Sequence, residues 1–86
     1  MRKIWSDIAW KEYLEWQAQD KRTLAKINNL IKDIERNGTD GLGKTERLKY
    51  FDAWSKRIDK ENRLVFDIDD DAILIISCKG HYEDIH

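Results

Sequence analysis

Seven residues near the C-terminus, Ala72-Ile73-Leu74-Ile75-Ile76-Ser77-Cys78, form the most apolar run of the chain. The run reads as a buried strand. A buried strand requires a sheet around it, and the rest of the chain is read against that sheet. Arg63 to Asp69 and Trp54 to Asp59 read as two further strands. The links between them, Asp69-Asp70-Asp71 and Asp59-Lys60-Glu61-Asn62, are short and polar, as hairpin turns should be. Leu48 to Tyr50 and Arg2 to Trp5 read as shorter strands.

Between the first strand and the others the apolar period changes from two to about 3.6. Ser6 is suited to cap a helix, with Asp7 in its first turn to match the helix dipole. Trp10, Tyr13, Leu14 and Gln17 follow helical spacing, and that helix should end near Gln19. Asp20 is placed to cap a second helix, in which Leu24, Ile27, Ile31 and Ile34 recur at steps of three, four and three. Gly38 is placed to end it. The stripe is too short for a coiled coil and is expected to pack on the sheet. Gly38 to Gly43 is expected to be a flexible loop, and Gly43-Lys44-Thr45 does not make a phosphate-binding loop, because no strand precedes it. The expected fold class is α+β: an antiparallel sheet of four to five strands with two N-terminal helices packed on one face.

With 86 residues the chain forms one domain, 1–86, of which 83–86 is a C-terminal tail. A chain of this size buries only about 60–65% of its unfolded surface. The single cysteine, Cys78, excludes an internal disulfide and reads as a small buried hydrophobe. No Cys/His cluster points to zinc, no cofactor is expected, and no apolar run reaches membrane length, so a cytoplasmic protein is expected. The four tryptophans are expected in the core or at a partner interface. Net charge is only −1, but it is unevenly spread: residues 44–63 hold seven cations and four anions, whereas 64–86 hold one cation and six anions. A local basic field of this kind matters more to a polyanion than the total.

The basic segment holds a lone Glu46 among Lys44, Arg47 and Lys49, and it ends at Arg63. The buried run delivers His81 and Tyr82 to the rim of the sheet. The chain has two histidines, the other being the terminal His86. Imidazole exchanges protons near neutrality. Cleaving RNA through its 2′-hydroxyl needs a base, an acid and a positive charge on the phosphorane-like transition state. Glu46, His81 and Arg63 fit those three tasks, Lys49 and Arg57 suit adjacent phosphates, and Tyr82 suits a base or the scissile phosphate. Most small domains contain such residues, so a structural or binding role for the same side chains stays open at this level.

The order of the motifs narrows the choice. Ile4-Trp5-Ser6, Trp10, Tyr13-Leu14, Trp16-Gln17, Asp20-Lys21-Arg22, Lys26-Ile27-Asn28 and Leu30-Ile31-Lys32-Asp33 are followed by Gly43-Lys44, Glu46 and Leu48-Lys49. Then come Trp54-Ser55-Lys56-Arg57-Ile58, Arg63-Leu64-Val65 and His81-Tyr82. In this the chain resembles the Txe/YoeB toxins of type II toxin–antitoxin systems, within the RelE-like superfamily, almost from end to end. The resemblance implies a metal-free endoribonuclease that cuts mRNA in the A site of the 70S ribosome and so stops translation. It implies Glu46 as general base, Arg63 on the transition state, His81 as general acid and Tyr82 as the terminal aromatic. Lys44, Lys49 and Arg57 are implied as substrate-binding cations. As partners it implies a cognate YefM/Axe-like antitoxin whose acidic segment folds over the toxin, and it allows a homodimer or a toxin–antitoxin heterotrimer.

The chain departs from the family pattern in places. It has no proline near Glu46, and Tyr50-Phe51-Asp52-Ala53 is short and lacks a glycine. Asn62 stands before the arginine where histidine is usual, Phe66 replaces a tyrosine, and Glu83 and Asp84 follow the His-Tyr pair. These changes keep a second expectation in play, that of a module that binds ribosome or antitoxin without cutting.

Overall fold

The computed structural model describes residues 1–41, 45–49 and 52–81. The elements in chain order are β1 (Arg2–Trp5), α1 (Asp7–Gln19), α2 (Lys21–Asn37), a 3-10 turn (Gly38–Asp40), β2 (Thr45–Arg47), β3 (Trp54–Arg57), β4 (Arg63–Asp69) and β5 (Ala72–Ser77). The five strands lie in the order β1-β5-β4-β3-β2. Strands β2 to β5 are antiparallel neighbours, as expected. The outer strand β1 runs parallel to β5, with Ile4 opposite Leu74, so the sheet is mixed. Parallel pairing needs a long crossover, and the two helices and the strands after them supply it.

Both helices start where their capping residues are. Ser6 Oγ accepts from the Ala9 N–H at 3.0 Å and donates to the Ile76 carbonyl at 2.7 Å, tying the start of α1 to β5. Asp20 ends one helix and starts the next: its N–H bonds the Trp16 carbonyl, and its carboxylate accepts from the Arg22 and Thr23 N–H groups. Those bonds, with the Thr23 hydroxyl, hold the exposed Asp20 below the usual carboxylate range. Gly38 closes α2 with φ 62°, a conformation open to glycine at little cost.

One face of the sheet carries the core. Ile27, Leu30, Ile31 and Ile34 of α2 and Ala9 and Trp16 of α1 pack on Leu64, Phe66, Ile73 and Ile75. Fully burying each large side chain contributes about 1.5–3 kcal/mol. α1 buries the line Ala9–Trp16, with Tyr13 partly covered; Trp10 and Leu14, which share the helical spacing, stay 48% and 43% exposed. Trp5, Trp10 and Tyr13 form a ring cluster beside β1. On the opposite face Leu48, Ala53 and Val65 make a small second cluster.

That second cluster explains where β2 differs from expectation. The strand was expected over Leu48 to Tyr50 and forms instead over Thr45–Arg47. Leu48 donates to the Ala53 carbonyl at 3.0 Å and is buried, so the chain is already turning there. Tyr50 lies outside the described residues. The loop after α2 is also more structured than its glycines suggest, beginning with the 3-10 turn. Gly41 then packs so closely on Asp33 that a Cβ there would overlap the carboxylate.

Lys56 is the largest fully buried side chain. Its Nζ lies 3.7 Å from Asp33 Oδ2, joining β3 to α2 under the sheet. Removing one partner of such a pair leaves a charge in the low-dielectric interior, which costs far more than the pair contributes. Asp33→Ala is therefore expected to lose about 3–5 kcal/mol in urea denaturation, whereas the double change Asp33→Leu/Lys56→Met should stay near wild type.

Candidate active site

Cross-strand register decides which side chains share a face. Glu46 pairs with Ser55, Ser55 with Val65 and Val65 with Ser77. These four form one row across the sheet, on the face turned away from the helices, since the neighbouring Leu64 and Phe66 point into the helix-side core. Arg57 and Arg63 pair directly in the row nearer the β3–β4 turn, on the same face. Glu46 and Arg63 are two strands and two residues apart, which puts their Cα atoms about 12 Å from each other.

Like charges directly opposite each other weaken a sheet. The Arg57–Arg63 pair is therefore not explained by folding stability, and it suits an anion held above both. The β3–β4 turn supports Arg63. Its Nη1 donates to the Asp59 carbonyl at 2.7 Å and the Asn62 carbonyl at 3.0 Å. Asp59 builds the turn: its Oδ1 accepts from the Glu61 and Asn62 N–H groups at 2.8 Å. Burial works to raise the pKa of Asp59, but those N–H groups, the Asn62 amide and the charge of Arg63 together hold it below the usual range.

His81 reaches the site on a segment that is anchored at each preceding residue. Trp16 Nε1 donates to the Cys78 carbonyl at 2.9 Å, and the Cys78 N–H donates to Glu12 Oε1 at 2.8 Å, so α1 holds the backbone of Cys78 on both sides of its Cα. Lys79 sits over the Trp16 ring and 3.4 Å from Glu15. Gly80, at φ 80°, turns the chain. Its N–H donates to Asn62 Oδ1 at 2.8 Å, and its carbonyl accepts the Arg63 N–H at 2.9 Å. His81 follows directly, partly buried, beside the start of β4.

Of the residues singled out from the sequence, Glu46, Arg57, Arg63 and His81 thus fall on or beside one end of one sheet face. Lys49 is exposed on the β2–β3 connection. Lys44, Tyr82 and the tail 83–86 lie outside the described residues. Cys78 is buried, as expected; burial first, and Glu12 beside it, push its thiol up to about 12. Sequence reasoning missed Glu12, Trp16 and Asn62 as positioning residues. Asn62 was noted only as a departure from a family pattern, yet it binds both Asp59 and Gly80. A buried tryptophan needs a partner for its N–H, which was the available signal for Trp16.

Burial raises the pKa of Glu12 above its ordinary 4.5, the Cys78 N–H opposes this, and Glu15 adds to it. A raised carboxylate in the folded state costs stability as pH climbs through the raised value. Below the ordinary value both states hold the proton and the cost vanishes. Glu12→Gln keeps an oxygen for the Cys78 N–H. It is expected to raise the calorimetric unfolding midpoint at neutral pH and to match wild type in acid. Asn62→Ala should free the His81 segment, seen as at least about tenfold faster hydrogen exchange at the Gly80 amide, with the core amides of β4 and β5 unchanged.

Residues 5–82 match the family model of the YoeB-like toxin of bacterial type II toxin-antitoxin systems. Toxin YoeB of Escherichia coli (strain K12) is 49% identical over 84 residues, spanning 95% of this chain and all of that protein. Toxin YoeB of Synechocystis is 46% identical over 96% of this chain and 99% of its own length. Among solved structures, the Staphylococcus aureus YoeB dimer superposes with a TM-score of 0.90 at 44% identity, covering 95% of this chain and 98% of that one. A chain of the heterotetrameric YoeB-YefM toxin-antitoxin complex from the same species gives 0.88 at 44%, with the same coverage. Sequence, fold and element order agree, and the chain belongs to the YoeB-like toxins of bacterial type II toxin–antitoxin systems.

Proposed function

We propose that the protein is a ribosome-dependent endoribonuclease that cuts mRNA in the A site and arrests translation. The observation that carries this reading is the register that sets Glu46 and Arg63 on one open sheet face, with His81 anchored beside Arg63 through Gly80. In the proposed step, Glu46 takes the proton of a ribose 2′-hydroxyl. The 2′-oxygen bonds to phosphorus, the P–O5′ bond breaks, and His81 protonates the departing 5′-oxygen. Arg63, with Arg57 beside it, neutralises the charge that builds on the non-bridging oxygens. The products are a 2′,3′-cyclic phosphate, or the 3′-phosphate from its hydrolysis, and a 5′-hydroxyl. Lys44 and Lys49 are assigned to flanking phosphates and Tyr82 to the nucleotide at the cut.

The openness of the face gives ribosome dependence a physical reason. Glu46 is exposed at the sheet edge, and no described wall aligns a flexible RNA strand for in-line attack. A decoding centre that holds the mRNA would supply that orientation, which is worth several kcal/mol. The solved relatives assemble as a YoeB dimer and as a YoeB-YefM complex, and a YefM-like antitoxin and self-association are proposed for this chain too. A cytoplasmic site of action follows from the proposed substrate. No helix among the described residues is long and apolar enough to cross a membrane.

The test is cell-free translation with purified protein, read by mapping mRNA 5′ ends with and without ribosomes. Wild type should give new 5′-hydroxyl ends inside codons only when ribosomes are present. His81→Gln should slow cutting by ~10²–10⁴ and Arg63→Ala by ~10²–10³, each with an unchanged circular dichroism spectrum. Full activity of either variant would refute the assigned roles. Translation arrest by wild type without new ends would instead mean a module that binds and does not cut.

A further inference from the structure

Helix α2 shows solvent a face that the proposed catalytic step leaves unused. Its exposed residues are Lys21, Arg22, Ala25, Lys26, Asn29, Lys32, Arg36 and Asn37, with no carboxylate and no large apolar side chain among them. Arg22, Lys26, Asn29 and Arg36 follow one another at helical spacing along a single line, with Lys32 beside it. From Arg22 to Arg36 the line is about 21 Å long. The acids that α2 does carry are drawn away: Asp33 turns inward to Lys56, and Glu35 binds Lys3 and the N-terminus.

Among the described residues none of Arg22, Lys26, Lys32 and Arg36 forms a salt bridge, whereas Arg2, Lys3, Arg47, Lys56 and Lys79 all do. Two shallow clefts open on the stripe. One, of about 270 Å³, lies between Arg22, Thr23 and Lys26 and the β3–β4 turn at Ile58–Asp59; the carboxylate of Asp59 there is occupied by the N–H groups of its own turn. The other, of about 280 Å³, lies among Asn29, Lys32, Asp33 and Arg36; the Asp33 carboxylate there is taken up by Lys56 and by the Asn37 side-chain amide. The stripe thus starts behind the turn that supports Arg63 and runs away from the candidate site.

We propose that this face of α2 grips the phosphate backbone of structured RNA outside the strand being cut. A row of cations that form no salt bridge among the described residues, with polar neighbours, suits a polyanion read by charge alone. It lacks the apolar anchors that an acidic peptide needs to fold onto a helix. The exposed apolar side chains Ile4, Ile8, Trp10 and Leu14 lie on β1 and α1 instead. On the ribosome-dependent reading, on which this partner rests, the structured RNA is ribosomal. The stripe then holds the toxin while the opposite face meets the mRNA.

The experiment compares wild type with Arg22→Gln/Lys26→Gln/Arg36→Gln and with the control Lys11→Gln on α1. Binding is read by co-sedimentation with purified ribosomes across a salt series, and cutting by 5′-end mapping in the translation reaction. The triple variant should bind at least about tenfold more weakly, with a logarithmic salt slope lower by about 2–3. The protein concentration for half-maximal cutting should rise in step, while the rate at saturating protein stays within about twofold. The control should match wild type. An unchanged slope and dose curve, or a loss confined to the saturated rate, would overturn the proposal. So would a variant that keeps its ribosome affinity but no longer binds a poly-glutamate peptide. If wild type never cuts, the ribonuclease reading fails, yet co-sedimentation still decides whether α2 holds RNA.

Discussion

The arrangement depends on one constraint, the registers that tie β3, β4 and β5 together. Side chains alternate along a strand, so a slip of one residue would exchange the two faces of β4 completely. Leu64 and Phe66 are buried against the helices, and burying them holds the register. Arg63 and Val65 are then obliged to face the other way. The hydrophobic core thus presents the guanidinium without touching it. Because β2 is paired to β3, the same constraint reaches Glu46 at the sheet edge. The three-residue β2 has little pairing of its own, and the Lys56–Asp33 bridge and the close seat of Gly41 bracket the chain on either side of its start.

α1 serves the far end in a different way. It packs against β5 and reaches past the strand's end, where Glu12 and Trp16 take both backbone polar groups of one residue, Cys78. Together with Asn62 and the Arg63 N–H, this fixes Cys78 and Gly80 through hydrogen bonds rather than through regular pairing. Such a segment holds His81, partly buried, at the rim of the sheet.

Much of this was legible in the amino-acid order. Ser6, Asp20 and Gly38 mark helix ends because each offers a specific answer to unpaired backbone groups, and the structure uses all three as read. The limits of β4 were equally clear, since polar turns flank an apolar run. What could not be read came from long-range geometry. Leu48 looks like strand, but Ala53 and Val65 turn it into a loop anchor. The parallel docking of β1 is a matter of topology that no local pattern carries. Lys56 reads as one more surface cation until Asp33 arrives from 23 positions earlier to receive it. For the candidate site, residue types and order suggested the chemistry, while the shared face emerged only from register. The supporting residues Glu12 and Asn62 belong to no motif, because backbone groups elsewhere dictate their roles.

The setting of Cys78 has one last consequence. Its sulfur is fully buried, contacts the Ala9 carbonyl, and is held as a neutral thiol far above physiological pH. It is the only thiol in the chain. Oxidants and alkylating reagents attack the thiolate, and here they must wait until α1 lifts from the end of β5. The same detachment would release Glu12 and Trp16 from the peptide leading to His81. The side chain is therefore a native reporter group, whose rate of modification follows the opening of the joint that holds the histidine.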